Sequence, residues 1–445
     1  MKRVLVISYY WPPSGGAGVQ RWLKFVKYLP GFDIQPVVLT VDPAQAEYPV
    51  LDRSLEADVA PELEVYRTGC NGVYDVYKKI TGSKTAPYGG FANESHPGLL
   101  QKITRFVRGN FFLPDARRGW IKYAFPEACR IIEKHGINTI ITTGPPHSTH
   151  LIGLKIKKKY RVKWIVDFRD PWTTIYYNDA LYQTRWARKI DQRLEQKVLD
   201  ACDHLLLVSV DQKKLSVDPQ KVSFLPNGFD SIDFDVEKSG FAKRLTFCYT
   251  GTIAGSYPVS KLQEAFDFLR THTAFKLLFV GNVAGSIKKE FCDRLGDSVE
   301  FIDFVSHTEA INYMMSSNIL LLIIPKTENN QFIMPGKLFE YLATGKSIML
   351  VGPPGSKAAQ IIIQARAGAA FDYDDIEGMK KFMLQQNQSY LDKNPPDTDT
   401  DFIQGLSRKE LTGKIAGMIN GKDDVLSSYF SFPKKMVTLQ PPNHS

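Results

Sequence analysis

Sulfur and imidazole are scarce in this chain: its 445 residues include five cysteines and eight histidines. Cys70, Cys129, Cys202, Cys248 and Cys292 are odd in number and widely spaced, with no Cys-x-x-Cys pair. Neither a zinc site nor a disulfide framework follows from that spacing. The five read as buried free thiols of a reducing compartment. Long apolar runs are missing too. Nothing approaches the roughly 18–20 residues needed to span a bilayer, and the longest run, 319–324, stops at Pro325 and reads as a buried strand. Residues 1–8 are too short an apolar run for a signal peptide, and no small-residue cleavage site follows. The expected location is therefore cytoplasmic. No Ser/His/Asp set and no close carboxylate pair is evident.

What is present is ordinary globular material, 43% hydrophobic and 23% charged. That is enough apolar content to offset chain entropy, so disorder is not the main state. The length exceeds one ordinary core and points to two or three domains. The net charge of +9 is uneven: residues 1–225 hold 33 Lys and Arg against 22 Asp and Glu, and the remainder sums to −2. A basic half facing an anionic partner leaves nucleic acid, an acidic membrane and phosphorylated small molecules open.

Apolar runs at 3–8, 35–39, 139–142, 163–168, 204–208 and 222–224 alternate with helical patterns at 20–29, 121–135, 149–160 and 181–201. The second half repeats this, with strands at 245–250, 276–280, 299–301, 319–324 and 347–351 and helices at 258–271, 287–295, 309–316, 336–344 and 357–364. Near-continuously apolar strands alternating with helices predict parallel sheets covered on both faces, hence two doubly wound α/β domains. The turn formers Pro226-Asn227-Gly228-Phe229-Asp230 mark the junction. Residues 69–120 break the alternation and read as a functional excursion. The polar segment 392–401 reads as a loop. A last helix over 408–420 follows Ser407, with Glu410 placed as in a capping box. The tail beyond Gly421 reads as irregular.

Two strand ends are rich in glycine. After the first strand comes Pro12-Pro13-Ser14-Gly15-Gly16-Ala17-Gly18, then a helix. Glycines at such a turn let backbone N–H groups approach an anion. Arg21 occupies the third glycine position of a dinucleotide fingerprint, and no Gly-Lys-Ser/Thr follows, so neither that motif nor a P-loop is formed. A tight turn without ligand is the alternative. The second is Pro335-Gly336-Lys337-Leu338-Phe339-Glu340, a helix start whose Lys337 and Glu340 share one face. Beside a diphosphate Lys337 would be well placed, with Glu340 accepting from ribose hydroxyls; an exposed ion pair is the alternative. At a third strand end, Asp167-Phe168-Arg169-Asp170 reads either as a structural ion pair or as a cleft lining. His147, after Gly144-Pro145-Pro146, is either a loop histidine or a polar contact to substrate.

Together with Tyr249-Thr250-Gly251-Thr252 and Val305-Ser306-His307, these motifs make the chain resemble the retaining glycosyltransferases of family 4, of the bacterial cell-surface glycan type, over roughly residues 1–420. The resemblance implies the GT-B fold: two Rossmann-like domains facing each other across a cleft. These would be an acceptor-side domain at 1–225, a nucleotide-sugar domain at 226–405, and a helix and tail at 406–445 packing back toward the first. It implies a nucleotide-sugar donor and a glycan or lipid-linked acceptor, with retention of anomeric configuration. Donor contacts would come from Gly15, Gly16, Gly251, Thr252, Val305, His307, Gly336, Lys337 and Glu340. Asp170, Arg169 and His147 would serve transfer, with Asp167 as support. The leaving phosphate itself takes the proton, so neither metal nor cofactor is expected. The sequence departs from the family pattern at Phe332, where a glutamate usually stands eight positions before Glu340. Lys261 is the nearest candidate for a further phosphate contact.

Asp372-Tyr373-Asp374 and Asp397-Thr398-Asp399 read as solvated charges. The basic and aromatic residues of 99–120, with a lysine cluster at 155–163, suit an anionic membrane surface on the cytoplasmic face of an inner membrane, or else a solvated face. Nucleic acid is not expected, because no binding motif accompanies the charge. The competing readings are a GT-B nucleotide-sugar epimerase and a non-catalytic membrane-surface or polyanion-binding module.

Overall fold

The computed structural model describes residues 1–46, 48–70, 99–208, 214–235 and 244–422. Two compact units result: Met1–Asp230 with Gly405–Lys422, and Ser231–Gln404.

The first unit is built on one seven-stranded sheet in the order β3-β2-β1-β4-β5-β6-β7. Its strands are β1 Lys2–Ile7, β2 Ile34–Val41, β3 Glu64–Thr68, β4 Thr139–Gly144, β5 Lys163–Phe168, β6 His204–Leu207 and β7 Val222–Phe224. Every pairing is parallel. β1 carries Val4-Leu5-Val6-Ile7 and β5 Trp164-Ile165-Val166, all buried. Such strands have no polar face to turn to water, so helices cover both sides. Those helices are α1 Ala17–Tyr28, α2 Leu99–Phe111, α3 Ile121–His135, α4 Ser148–Lys159 and α5 Arg185–Ala201.

The second unit holds a six-stranded parallel sheet in the order β10-β9-β8-β11-β12-β13. Its strands are β8 Leu245–Thr250, β9 Phe275–Val280, β10 Val299–Ile302, β11 Ile319–Ile323, β12 Ser347–Val351 and β13 Gly368–Phe371. Around it lie α6 Ser260–Arg270, α7 Gly285–Leu295, α8 His307–Met315, α9 Lys337–Ala343, α10 Lys357–Gln364, α11 Ile376–Leu391 and the single turn α12 Thr400–Gln404. The last helix, α13 Arg408–Ile419, belongs to the first unit and packs on α1. Ser407 caps it by accepting from the Glu410 N–H at 3.3 Å.

The sequence did not show β3, β13 or α11, and it left α2 inside the excursion. Both strands are sheet edges with one neighbour each. β3 reads Glu-Val-Tyr-Arg-Thr and β13 Gly-Ala-Ala-Phe, so neither carries the apolar run of a central strand. The turn formers at 226–230 are not a free junction but a strap on the first unit. Arg21 donates to Pro226 O at 2.7 Å, Lys24 pairs with Asp230 at 2.7 Å, and Phe229 is buried. The second unit begins at Ser231.

Three further expectations are corrected. Cys292 is exposed, while the other four thiols are buried. The lysine cluster is partly consumed locally: Lys157 meets Asp203 at 2.6 Å and Lys163 donates to Met418 O at 2.8 Å. Within 99–120, Leu113, Trp120 and Arg105 are buried rather than displayed. Residues 71–98 of the excursion and the tail from 423 lie outside the described residues. Among the described residues no helix is long and apolar enough to cross a membrane.

Candidate functional site

In each sheet the strand order reverses once, between β1 and β4 and between β8 and β11. Ligands of doubly wound sheets bind outside the carboxyl ends of strands at such a reversal. The residues singled out from sequence gather at these two places, one in each unit.

In the first unit, the loop after β1 is pinned by main-chain bonds. Gly15 N donates to Val50 O at 2.9 Å and Asp52 N to Pro13 O at 2.9 Å. Gly16 adopts φ 102° at the cap of α1, a conformation that favours glycine. A side chain at Gly18 would overlap the Arg169 guanidinium. Arg169 in turn donates from Nε to Gly144 O at 3.1 Å and from Nη2 to Pro145 O. Arg169 thus joins the strand ends of β1, β4 and β5. Asp170 beside it is half-buried, and burial pushes its carboxyl above the ordinary range, with Arg169 opposing.

Beneath them lies a group the sequence reading underrated. Asp167 is fully buried and accepts from Arg21 Nη2 at 2.8 Å, Trp22 Nε1 at 2.6 Å and Thr143 Oγ1 at 2.9 Å. Arg21, seen in the sequence only as the residue that spoils a glycine fingerprint, is itself fully buried and supplies this partner. Its position on α1, one turn after the glycines, was the only signal.

His147 is not an open polar contact. Its ring is 8% exposed and stacks on Trp172 with centroids 4.9 Å apart. Burial, helped by Arg169, lowers its pKa from 6.5 to about 3. His150, fully buried, is depressed for the same first reason. Both imidazoles crowd the α-carbon of Gly144, where no side chain fits. The imidazole is therefore neutral and shapes the loop that holds Arg169. A base with a depressed native pKa is stabilising above its unfolded value, and that contribution fades as protons bind the unfolded chain. Stability is thus expected to fall as pH drops from 6.5 toward 3. His147→Phe, which keeps the stacking, should flatten part of that slope in urea titrations; an unchanged slope would count against a buried neutral His147.

The second unit carries the other cluster. Gly251, whose φ is +110°, directly follows β8, and Gly281, whose φ is +125°, directly follows β9. A Cβ on Gly281 would lie 2.5 Å from Gly251 O, so the two turns touch through backbone alone. A Cβ on Gly251 would lie 2.9 Å from Lys337 Nζ. Lys337 therefore does not pair with Glu340. Its ammonium sits over the Tyr249 ring, 3.8 Å from the centroid. Burial is the main cause that lowers its pKa from 10.5 to about 7, with Glu340 opposing. Tyr249 donates to Thr252 O at 2.9 Å, shaping the Gly251-Thr252 turn.

Glu340 Oε1 lies 3.1 Å from His307 Nε2. His307 opens α8, which is started by a reciprocal Ser306–Glu309 capping box; Val305, just before it, is half-buried. Gly336 precedes α9 with φ −55°. Phe332 closes a short turn, Asn330–Phe332, ahead of α9. Lys261 is engaged elsewhere, pairing with Glu264 at 3.0 Å. Tyr341 is the residue missed here: buried on α9, its hydroxyl accepts from the Thr250 N–H at 2.9 Å and fixes the helix to the end of β8.

No protein-family model matches the chain, and no curated protein matches it at a significant level. Solved structures do. TarM of S. aureus superposes with a TM-score of 0.59 at 10% identity, over 94% of this chain and 99% of its own. HepE of Anabaena, solved with UDP-glucose, gives 0.57 at 11% identity, over 95% and 100%. WaaG, a glycosyltransferase involved in lipopolysaccharide biosynthesis, gives 0.51 at 14% identity, over 94% and 100%. The protein therefore has the two-unit α/β fold of GT-B glycosyltransferases.

Proposed function

We infer that this protein is a glycosyltransferase that moves a sugar from a nucleotide-sugar donor to a glycan or lipid-linked acceptor, with retention of anomeric configuration. The observation that carries the reading is the placement of Lys337 Nζ against the Gly251 turn, with Glu340 one helical turn on. A buried cation facing a glycine turn favours an anionic group, and a carboxylate at that distance suits vicinal hydroxyls. A nucleoside diphosphate presents both features. HepE was solved with UDP-glucose, which supports a UDP-sugar as the first donor to try. Retention rests on the resemblance of the motifs themselves.

In this reading the acceptor hydroxyl oxygen bonds to the anomeric carbon as the carbon–phosphate-oxygen bond breaks. The diphosphate leaves with that electron pair, and the hydroxyl proton passes to a departing phosphate oxygen. Lys337 and the Thr252 N–H stabilise the charge that develops, while the Gly251 N–H is held by Val280 O at 2.7 Å and keeps the turn in shape. Glu340 and the Val305–His307 turn hold the nucleoside. Gly15 and Gly16 shape the loop at the end of β1, Gly15 through its N–H to Val50 O at 2.9 Å. Arg169 and Asp170 serve the transfer side, and His147 positions their loop. Since Lys337 and backbone dipoles supply the charge stabilisation, no metal is required, and turnover should be unchanged by EDTA. Incubation with a panel of nucleotide sugars and oligosaccharide or lipid-linked acceptors tests the reading. Nucleotide release only with an acceptor, and product of retained configuration by NMR, are expected. Binding of no nucleoside diphosphate and transfer from none of the panel would overturn it.

A further inference from the structure

Two helices of the first unit display an apolar surface. On α2, Ile103, Phe106, Val107 and Phe111 are 52%, 41%, 39% and 67% exposed. On α5, Trp186 is 79% exposed and Ile190 43%. Spacings of three and four residues place each set on one helical face. The faces adjoin: Asn110 near the end of α2 donates to Tyr182 O at 3.1 Å and accepts from the Thr184 N–H, the cap residue of α5, at 2.7 Å. The other five tryptophans are at most 3% exposed, so Trp186 in water calls for an explanation.

Among the described residues, the exposed charges beside these side chains are basic. Lys102 on α2 and Arg185, Lys189 and Arg193 on α5 are exposed. α2 contains no acid. The acids of α5 near Trp186 are turned inward: Asp191 accepts from Trp172 Nε1 at 2.9 Å and Glu195 from Thr173 Oγ1 at 2.5 Å. Apolar and aromatic groups ringed by cations, with carboxylates withdrawn, fit the interface of an anionic bilayer. An isologous contact with a second copy would bring like charges together. We propose that the α2–α5 face docks on anionic membrane lipid, with Phe111 and Trp186 inserting at the headgroup boundary. The same helix that carries Trp186 holds, through Asp191 and Glu195, the Trp172-Thr173 loop next to Arg169 and Asp170. Docking therefore deepens the lipid-linked acceptor reading above, yet its test involves no transfer, so the two fail independently.

The test uses the full-length protein and phosphatidylcholine vesicles with or without phosphatidylglycerol. Flotation is expected only with phosphatidylglycerol and should weaken with salt. Brominated phosphatidylglycerol should quench the fluorescence of Trp186. Phe111→Ser with Trp186→Ser should weaken flotation by about tenfold or more, and Arg185→Glu with Lys189→Glu and Arg193→Glu should abolish it. Phe304→Ser, on the second unit and 86% exposed in the native chain, should change nothing. Equal flotation with neutral lipid, patch variants that float like the native protein, or a lipid-free dimer dissolved by the patch variants would each overturn the proposal.

Discussion

Arg21→Met is expected to lower the unfolding free energy by about 3–5 kcal/mol, the range found when one partner of a buried ion pair is removed. The pair is fully buried, at 2.8 Å, and Asp167 would keep only the Trp22 and Thr143 donors. The loss has a second component, because Arg21 also donates to Pro226 O at 2.7 Å and so holds the strap that closes the first unit. Urea unfolding followed by far-UV circular dichroism measures it. If the cost is the stranded charge, Arg21→Met with Asp167→Leu should lose clearly less than the sum of the single variants. A single variant within about 0.5 kcal/mol of the native protein, the range of an ordinary surface change, would show that the pair is not the keystone of these strand ends.

The second large effect concerns nucleotide binding. Lys337→Met and Glu340→Ala should each weaken UDP binding by about 1.5–3 kcal/mol, a ten- to hundredfold loss, as for hydrogen bonds to charged groups. Lys337 adds a pH signature. With its pKa at about 7 in the free protein, the ammonium is largely deprotonated at higher pH, while a bound diphosphate favours the charged form. Affinity should therefore fall as pH rises above about 7, and binding in that range should take up a proton. Calorimetry in buffers of different ionisation enthalpy reads that proton directly. The sign for folding is the reverse: the unfolded chain holds the lysine proton up to 10.5, so this group's penalty on the native state is relieved as pH rises past 7. Lys337→Met should abolish both dependences. A UDP affinity independent of pH and of Lys337 would place the diphosphate elsewhere.

The residues behind the two effects differ in how far the sequence reveals them. Glu340 and Lys337 stood out in the sequence because Pro335 and Gly336 open a short helix there and glycines end the strands. Their partners did not stand out. Lys337 and Glu340 look like an i,i+3 ion pair, but in the structure Lys337 turns to Gly251 and Tyr249 while Glu340 meets His307. These partners are 33 or more positions away in the chain, beyond the reach of any local pattern. Arg21 shows the same limit: its meaning depends on Asp167, 146 positions on.

Sequence by itself determined the doubly wound class, because alternating apolar strands and amphipathic helices have few other ways to bury themselves. It also located the strand ends where chemistry collects, since glycine and proline at those turns act through local backbone geometry. Only the tertiary structure decided which charges are buried pairs, which histidine is held neutral, and which face of α2 and α5 stays in water. Those properties belong to the environment that distant segments create around a side chain. Desolvation and pairing, not residue type, fixed them.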